Sequence, residues 1–144
     1  NPKLMYLGMQ DQYYTFSMFD AQASYARDVI LGDITLPSSH EMETNSDVWQ
    51  TREEALEDAM QEIIFQTAYC KDLCQKLDYD FDWDLALDNF KQWEHHKEDD
   101  IVGYRNKAFP SPVTGTLASA HHTAWWDAID DSSEIFLGDG SDHN

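Results

Sequence analysis

The sequence predicts a mostly helical α+β piece, with one strand and helix at the start and a helical extension after them. Three observations carry this reading. Lys3 to Leu7 is a short apolar run stopped by Gly8, apolar residues recur at helical spacing from Thr15 onward, and no second run of strand quality follows. A single strand cannot satisfy its own backbone N–H and C=O groups. The first segment is therefore expected to complete a sheet built by residues outside this chain. The expected division is strand and helix over 1–32, helical extension over 33–137, and a polar, disordered tail over 138–144.

Met9-Gln10-Asp11-Gln12 comes after the strand as a polar turn. Phe16, Phe19, Ala23, Ala26 and Ile30 then form the apolar stripe of a helix from about Thr15 to Leu31, and Gly32 supplies its stop. Ser38 with Glu41 has the capping-box pattern of a short helix. Glu53 to Leu77 carries a stripe at Leu56, Met60, Ile63, Thr67, Cys70, Cys74 and Leu77. A polar-aromatic loop over Asp78 to Asp82 leads to a helix from about Asp84 to Tyr104, with Phe90, Trp93 and Ile101 on one face. Pro110-Ser111-Pro112 and Thr114-Gly115-Thr116 make an irregular connection. Thr123 caps a last expected helix through Trp126, Ile129 and Phe136, closed by Gly138.

Length and composition suit one domain with a real core, at 144 residues, 42% hydrophobic and 13% aromatic. Nine basic against twenty-eight acidic residues leave a net charge of −19, which argues against nucleic acid or an anionic membrane as partner. A solvated acidic surface is the simpler explanation of that charge, and an acidic docking face is the alternative. No apolar run is long enough to span a membrane. Asn1-Pro2-Lys3 is neither an initiator methionine nor a signal peptide, so a piece of a longer cytoplasmic protein is expected. Two cysteines are too few for a secreted disulfide scaffold.

Candidate chemistry is thin. Cys70 and Cys74 lie four apart on the apolar stripe, where packing thiols are expected rather than metal ligands. The adjacent pairs His95-His96 and His121-His122 diverge by about 100 degrees on a helix, and no HExxH spacing accompanies them, so no metal site is expected. One histidine of each pair is expected to pack or hydrogen-bond at a helix contact while the other faces water. The adjacent carboxylates Asp99-Asp100 and Asp130-Asp131 also diverge and receive no catalytic role. GxGxxG, P-loop and GxSxG motifs are absent, so the chain holds no recognisable catalytic engine of its own. The polar turn ahead of the first helix is the most informative place. Helix N-terminal N–H groups favour negative charge there, and Asp11, Gln12 and Thr15 add a carboxylate, an amide and a hydroxyl, with Tyr13, Tyr14 and Phe16 as aromatic walls.

The stretch Leu7-Gly8-Met9-Gln10-Asp11-Gln12-Tyr13-Tyr14-Thr15-Phe16, with Met18 to Ala23 and Ala26 to Gly32, resembles bacterial flavin-containing monooxygenases, especially trimethylamine monooxygenases. Trp93-Glu94-His95-His96-Lys97 with Tyr104-Arg105 agrees in the same order, as do Thr114-Gly115-Thr116, His121-His122-Thr123 and Asp130-Asp131-Ser132. The resemblance covers nearly the whole chain and matches the C-terminal part of that family. It implies that residues 1–32 complete a Rossmann-like FAD-binding domain. The parent would bind FAD and NADPH upstream and oxygenate a small amine or sulfide through a flavin C4a-hydroperoxide. It would use molecular oxygen, and by the same analogy it would be a homodimer. Gln12 and Thr15 would lie at the isoalloxazine ring, with Asp11 as an active-site carboxylate. Tyr13 would line the substrate pocket, Trp93 would wall the nicotinamide cofactor, and Arg105 would contact its phosphate or ribose. Departures are Tyr13 in place of an expected tryptophan, Ser24 in place of a bulky aromatic, and Ala124 in place of a proline. The competing reading is a free-standing acidic helical interaction module, and a metal-dependent hydrolase built on the histidine pairs is a distant third.

Overall fold

The computed structural model describes residues 4–8 and 12–117. Among them the chain forms four α-helices and one short 3-10 turn: α1 (Thr15–Leu31), α2 (Ser39–Glu54), α3 (Ala59–Cys74), α4 (Trp83–Asp99) and the turn Tyr104–Asn106. The fold is thus mostly helical. The expected helix after Thr123 and the tail from Gly138 lie outside the described residues.

Leu4 to Leu7, expected as a strand, forms neither strand nor helix among the described residues, and Leu4 and Tyr6 are 57% and 69% exposed. A bridge joins Pro110 and Leu117 across the turn around Gly115, whose φ of 67° suits glycine. α1 has the expected bounds because Gly32 adopts φ 89° after it. The Asp33 N–H then returns to the Asp28 carbonyl at 2.9 Å, satisfying a terminal acceptor.

The face that α1 buries differs from the expected one. Met18, Ala21 and Gln22 point into the core, whereas Phe16 and Ile30 are 83% and 77% exposed. The helix has apolar residues on two sides, and α3 takes only one of them. α2 is longer than expected, since the Ser38 capping box carries it through Glu54, yet it buries no residue. The expected helix over Glu53 to Leu77 is accordingly divided. Asp58 caps α3 by accepting the Gln61 N–H at 2.7 Å, so residues 55–58 separate two helices. α4 stops at Asp99 rather than Tyr104 because the Asp100 carboxylate accepts the N–H groups of Val102 and Gly103 and turns the chain. Ile101 is consequently 66% exposed, and Trp83 and Ala86 are the residues α4 buries.

The core joins α1, α3 and the start of α4 through Met18, Ala21, Cys70 and Trp83, with Tyr14, Tyr69, Leu73, Cys74, Tyr79 and Phe81 against it. Ala21 and Cys70 are small and fully buried, which lets α1 and α3 approach closely. Trp83 is flanked by a tight aromatic group, its ring 4.3 Å from Phe81 and 5.5 Å from Tyr14 between centroids. Tyr79 closes this end by donating its hydroxyl to the Asp20 carboxylate at 2.9 Å. Burial and that neighbouring carboxylate push its phenol pKa well above the usual range.

The two helix caps therefore differ in consequence. Asp58→Ala is expected to lower the stability of the whole fold by about 1 kcal/mol, because α3 lines the core. Ser38→Ala is expected to fray α2 alone, seen as lost helical circular dichroism before the main urea transition. Equal shifts of the urea midpoint in both variants would contradict this division.

Candidate functional site

The residues singled out in the sequence fall at two neighbouring places: the N-terminal mouth of α1 and the outer face of α4. Tyr14 stands at the N-cap of α1 without a side-chain cap bond, and no acidic residue lies in the first turn. The first-turn N–H groups of α1 thus lack a capping side chain at Tyr14 and favour an electron-rich group. Two residues before Tyr14 in the chain, the Gln12 side-chain oxygen is buried without a hydrogen-bond partner among the described residues. A buried, unsatisfied amide oxygen is costly, and an N–H donor from a bound molecule would relieve it. Thr15 opens the helix with its side chain exposed, and Tyr13 is 41% exposed next to it. Asp11 lies outside the described residues.

The mouth is fastened from α3. The Tyr13 N–H donates to the Gln66 side-chain oxygen at 2.8 Å, and the Tyr14 hydroxyl lies 2.9 Å from that of Thr67. Thr67 gives its own proton to the Ile63 carbonyl at 2.7 Å, which leaves Tyr14 as the donor to it. Burial raises the Tyr14 phenol pKa, so the hydroxyl stays protonated and able to donate.

From the mouth a row of rings runs along α4. Tyr13 meets Phe90 at 5.4 Å, Phe90 meets Trp93 at 5.9 Å, and Trp93 meets Tyr104 edge-on at 5.3 Å between centroids. Cations cover its far end. Lys97 sits 4.7 Å over the Trp93 ring and Arg105 sits 4.4 Å over Tyr104. Four of the nine basic residues in the chain, Lys91, Lys97, Arg105 and Lys107, belong to α4 and the segment after it. Lys97 is paired with the Glu94 carboxylate at 2.7 Å, and Lys91 lies 3.7 Å from that of Asp88. The structure thus connects Tyr13, Trp93 and Arg105, which are far apart in sequence, through Phe90 and Tyr104.

The other candidates remain packing groups. Cys70 is fully buried, and burial with the neighbouring Cys74 pushes its thiol up to about 12. Burial also raises the Cys74 thiol, against a smaller opposing effect of Trp83. No group of three metal-ligating side chains occurs among the described residues. His95 faces solvent 3.3 Å from the Asp99 carboxylate, while His96 packs its ring 6.2 Å from that of Phe109. This is the expected division of labour for that pair. His121 and His122 lie outside the described residues, as do Asp130 and Asp131. Two cavities, of about 1100 and 430 Å³, open beside α1 and α3, and none of Gln12, Tyr13, Thr15, Trp93 or Arg105 lines them. No described helix is long and apolar enough to cross a membrane. Sequence reasoning missed Gln66, although a glutamine between Ile63 and Cys70 on the inner side of α3 is the kind of polar residue that signals a buried hydrogen bond.

No protein-family model matches the chain. Individual relatives do. The chain is 54% identical over 138 residues to the trimethylamine monooxygenase of Pelagibacter ubique (strain HTCC1002), covering 95% of this chain and 31% of that protein. It is 53% identical over 137 residues to the trimethylamine monooxygenase of Methylocella silvestris, covering 94% and 30%. The crystal structure of Tmm from Pelagibacter sp. strain HTCC7211 matches with a TM-score of 0.76 at 53% identity, over 92% of this chain and 30% of that one. The chain therefore spans about 31% of the length of the curated relatives it matches.

The raised thiol pKa values give a signed expectation. A thiol with an unfolded pKa of about 8.5 and a raised folded value stabilises the fold fully below the unfolded value. That contribution is lost as pH climbs from there towards the folded value, about 12 for Cys70. At pH 8 a thiol reagent is expected to leave Cys70 unlabelled in the folded chain and to label both cysteines in urea. Rapid labelling of Cys70 without denaturant would contradict its placement.

Proposed function

We propose that this chain is the C-terminal portion of a flavin- and NADPH-dependent monooxygenase that transfers oxygen to a small tertiary amine such as trimethylamine. The reading rests most on one geometric observation. The Gln12 oxygen, buried without a partner among the described residues, directly precedes in the chain an aromatic row that leads from Tyr13 to the cations over Trp93 and Tyr104. An amide acceptor, helix N–H donors, flat ring surfaces and a positive end suit a flavin and a nicotinamide dinucleotide lying side by side. The names of the relatives support the same assignment.

When bound, flavin supplies oxygen activation and NADPH supplies the hydride. Gln12 would accept a hydrogen bond from a ring N–H, and the α1 N-terminus would favour an electron-rich edge of the flavin. Thr15 adds a hydroxyl to the same mouth, and Asp11 is the carboxylate assigned to proton movement by the resemblance. Tyr13 walls the substrate pocket, Trp93 stacks against the nicotinamide side, and Arg105 meets phosphate or ribose. The row of rings also keeps water from the reacting centre.

Leu4 to Leu7 then adds as a strand to a sheet supplied by the rest of the protein, completing the FAD-binding domain with α1. That arrangement covers Leu4, Tyr6, Phe16 and Ile30, which are 57%, 69%, 83% and 77% exposed here. A free-standing interaction module would leave this apolar surface in water, which costs roughly 25 cal/mol per Å².

In the longer protein, NADPH oxidation is expected to depend on added trimethylamine. Trp93→Ala is expected to raise KM for NADPH about threefold to tenfold, the worth of one aromatic contact, with a smaller change in kcat. The present chain alone is expected to oxidise no NADPH, since it lacks the glycine loops that cradle cofactor phosphates. Turnover by this chain alone, or a Trp93→Ala variant with unchanged KM, would sink the proposal.

A further inference from the structure

Two buried glutamines hold the backbone at Gly8 and at Tyr13. The Gln22 side-chain oxygen accepts the Gly8 N–H at 2.9 Å, and its amide nitrogen donates to the Tyr69 hydroxyl at 3.0 Å. The Gln66 oxygen accepts the Tyr13 N–H at 2.8 Å, and its nitrogen lies 3.4 Å from the Glu62 carboxylate. Both side chains are almost wholly removed from water, at 5% and 4% exposure. A buried amide is retained at a cost unless it is hydrogen-bonded, and here each is bonded through both its oxygen and its nitrogen. The groups they receive are backbone N–H donors outside any helix or sheet, which have no ladder partner to satisfy them.

Steric contact reinforces the first grip. Gly8 has φ 71°, and a Cβ there would come 2.6 Å from the Phe19 ring, so the chain lies directly against α1 at this point. The second grip comes from a different helix. Gln66 and Thr67 are neighbours on α3, and they bind the backbone of Tyr13 and the hydroxyl of Tyr14 respectively.

We propose that Gln66 is a positioning residue for the site, with Gln22 as its counterpart: Gln22 clamps the backbone at Gly8, Gln66 clamps it at Tyr13, and Gln66 thereby links the packing of α3 to the placement of Gln12. The clamp itself stands on hydrogen bonds within this chain. Its consequence for flavin chemistry rests on the reading proposed above. Gln66 itself contacts no cofactor and acts through the backbone it holds.

Amide hydrogen exchange on the full chain tests the clamp without any cofactor. The Tyr13 amide is expected to be protected to a degree comparable with the Met18 amide, which donates to the Tyr14 carbonyl at 3.2 Å within α1. Gln66→Met keeps length and apolar bulk but removes the acceptor, and is expected to speed Tyr13 exchange about tenfold while the Cys70 amide is unchanged. Fast Tyr13 exchange in the unaltered chain overturns the clamp even if Gln66→Met fails to fold, and so does exchange unchanged by a folded Gln66→Met. In the longer, flavin-loaded protein, Gln66→Met is expected to shift the flavin absorption bands and lower kcat more than it raises KM for NADPH. A loosened Tyr13 amide beside an unmoved flavin spectrum would uphold the clamp and overturn the flavin reading.

Discussion

The close approach of α1 to α3 is the constraint on which the rest of the structure depends. Ala21 and Cys70 have little side-chain bulk and are fully buried where the helices meet. That closeness brings the side chains of Gln66 and Thr67 within hydrogen-bond reach of Tyr13 and Tyr14. Trp83 then packs into the same cluster and brings the start of α4 with it. A larger residue at either small position would separate the helices and break polar contacts whose geometry tolerates only tenths of an ångström. Packing and polar fastening are therefore one device here. The apolar contact sets the distance and the buried amides set the register.

That device assembles a site from three separate stretches of sequence. The mouth belongs to the residues before α1, its fastening to α3, and the ring row to α4 and the turn after it. α2 stands apart from this. It meets α3 through Trp49, which rests edge-on against Phe65 and Tyr69 at 5.4 and 5.8 Å, and through Arg52, which lies 4.2 Å over the Trp49 ring and 5.6 Å over that of Phe65. Such peripheral packing explains why a well-capped helix can carry sixteen residues and still bury none of them.

The sequence was most legible where a local signal decides the structure. Gly32 ends α1, Ser38 with Glu41 starts α2, and the loop over 78–82 precedes α4, each as the residues predict. It was less legible where tertiary contacts choose between possibilities. The stripe of Phe16, Ala23 and Ile30 is helical in period, yet the core takes Met18, Ala21 and Gln22 instead. Periodicity reports that a face is apolar, not which neighbour covers it. The stripe from Leu56 to Leu77 hid the break before Asp58 because Leu56 and Leu77 keep the spacing while lying outside the helix. For the site, Tyr13, Trp93 and Arg105 were named by resemblance, but the row that joins them needs Phe90 and Tyr104 in place. Of the glutamine clamp, the place of Gln66 between Ile63 and Cys70 hinted at a buried amide, but its partner on Tyr13 is 53 residues away and is set by the packing of α3 on α1.

The α1 mouth and the α4 ring row are proposed to receive the two cofactors of a monooxygenase, and on this the functional reading stands or falls. A crystal structure of the longer protein, grown with FAD and NADP, tests it most directly. The isoalloxazine ring is expected within hydrogen-bond distance of the Gln12 oxygen, and the nicotinamide dinucleotide along Trp93 with its phosphates towards Arg105. A flavin seated away from α1, with Gln12 satisfied by another protein group, would contradict it.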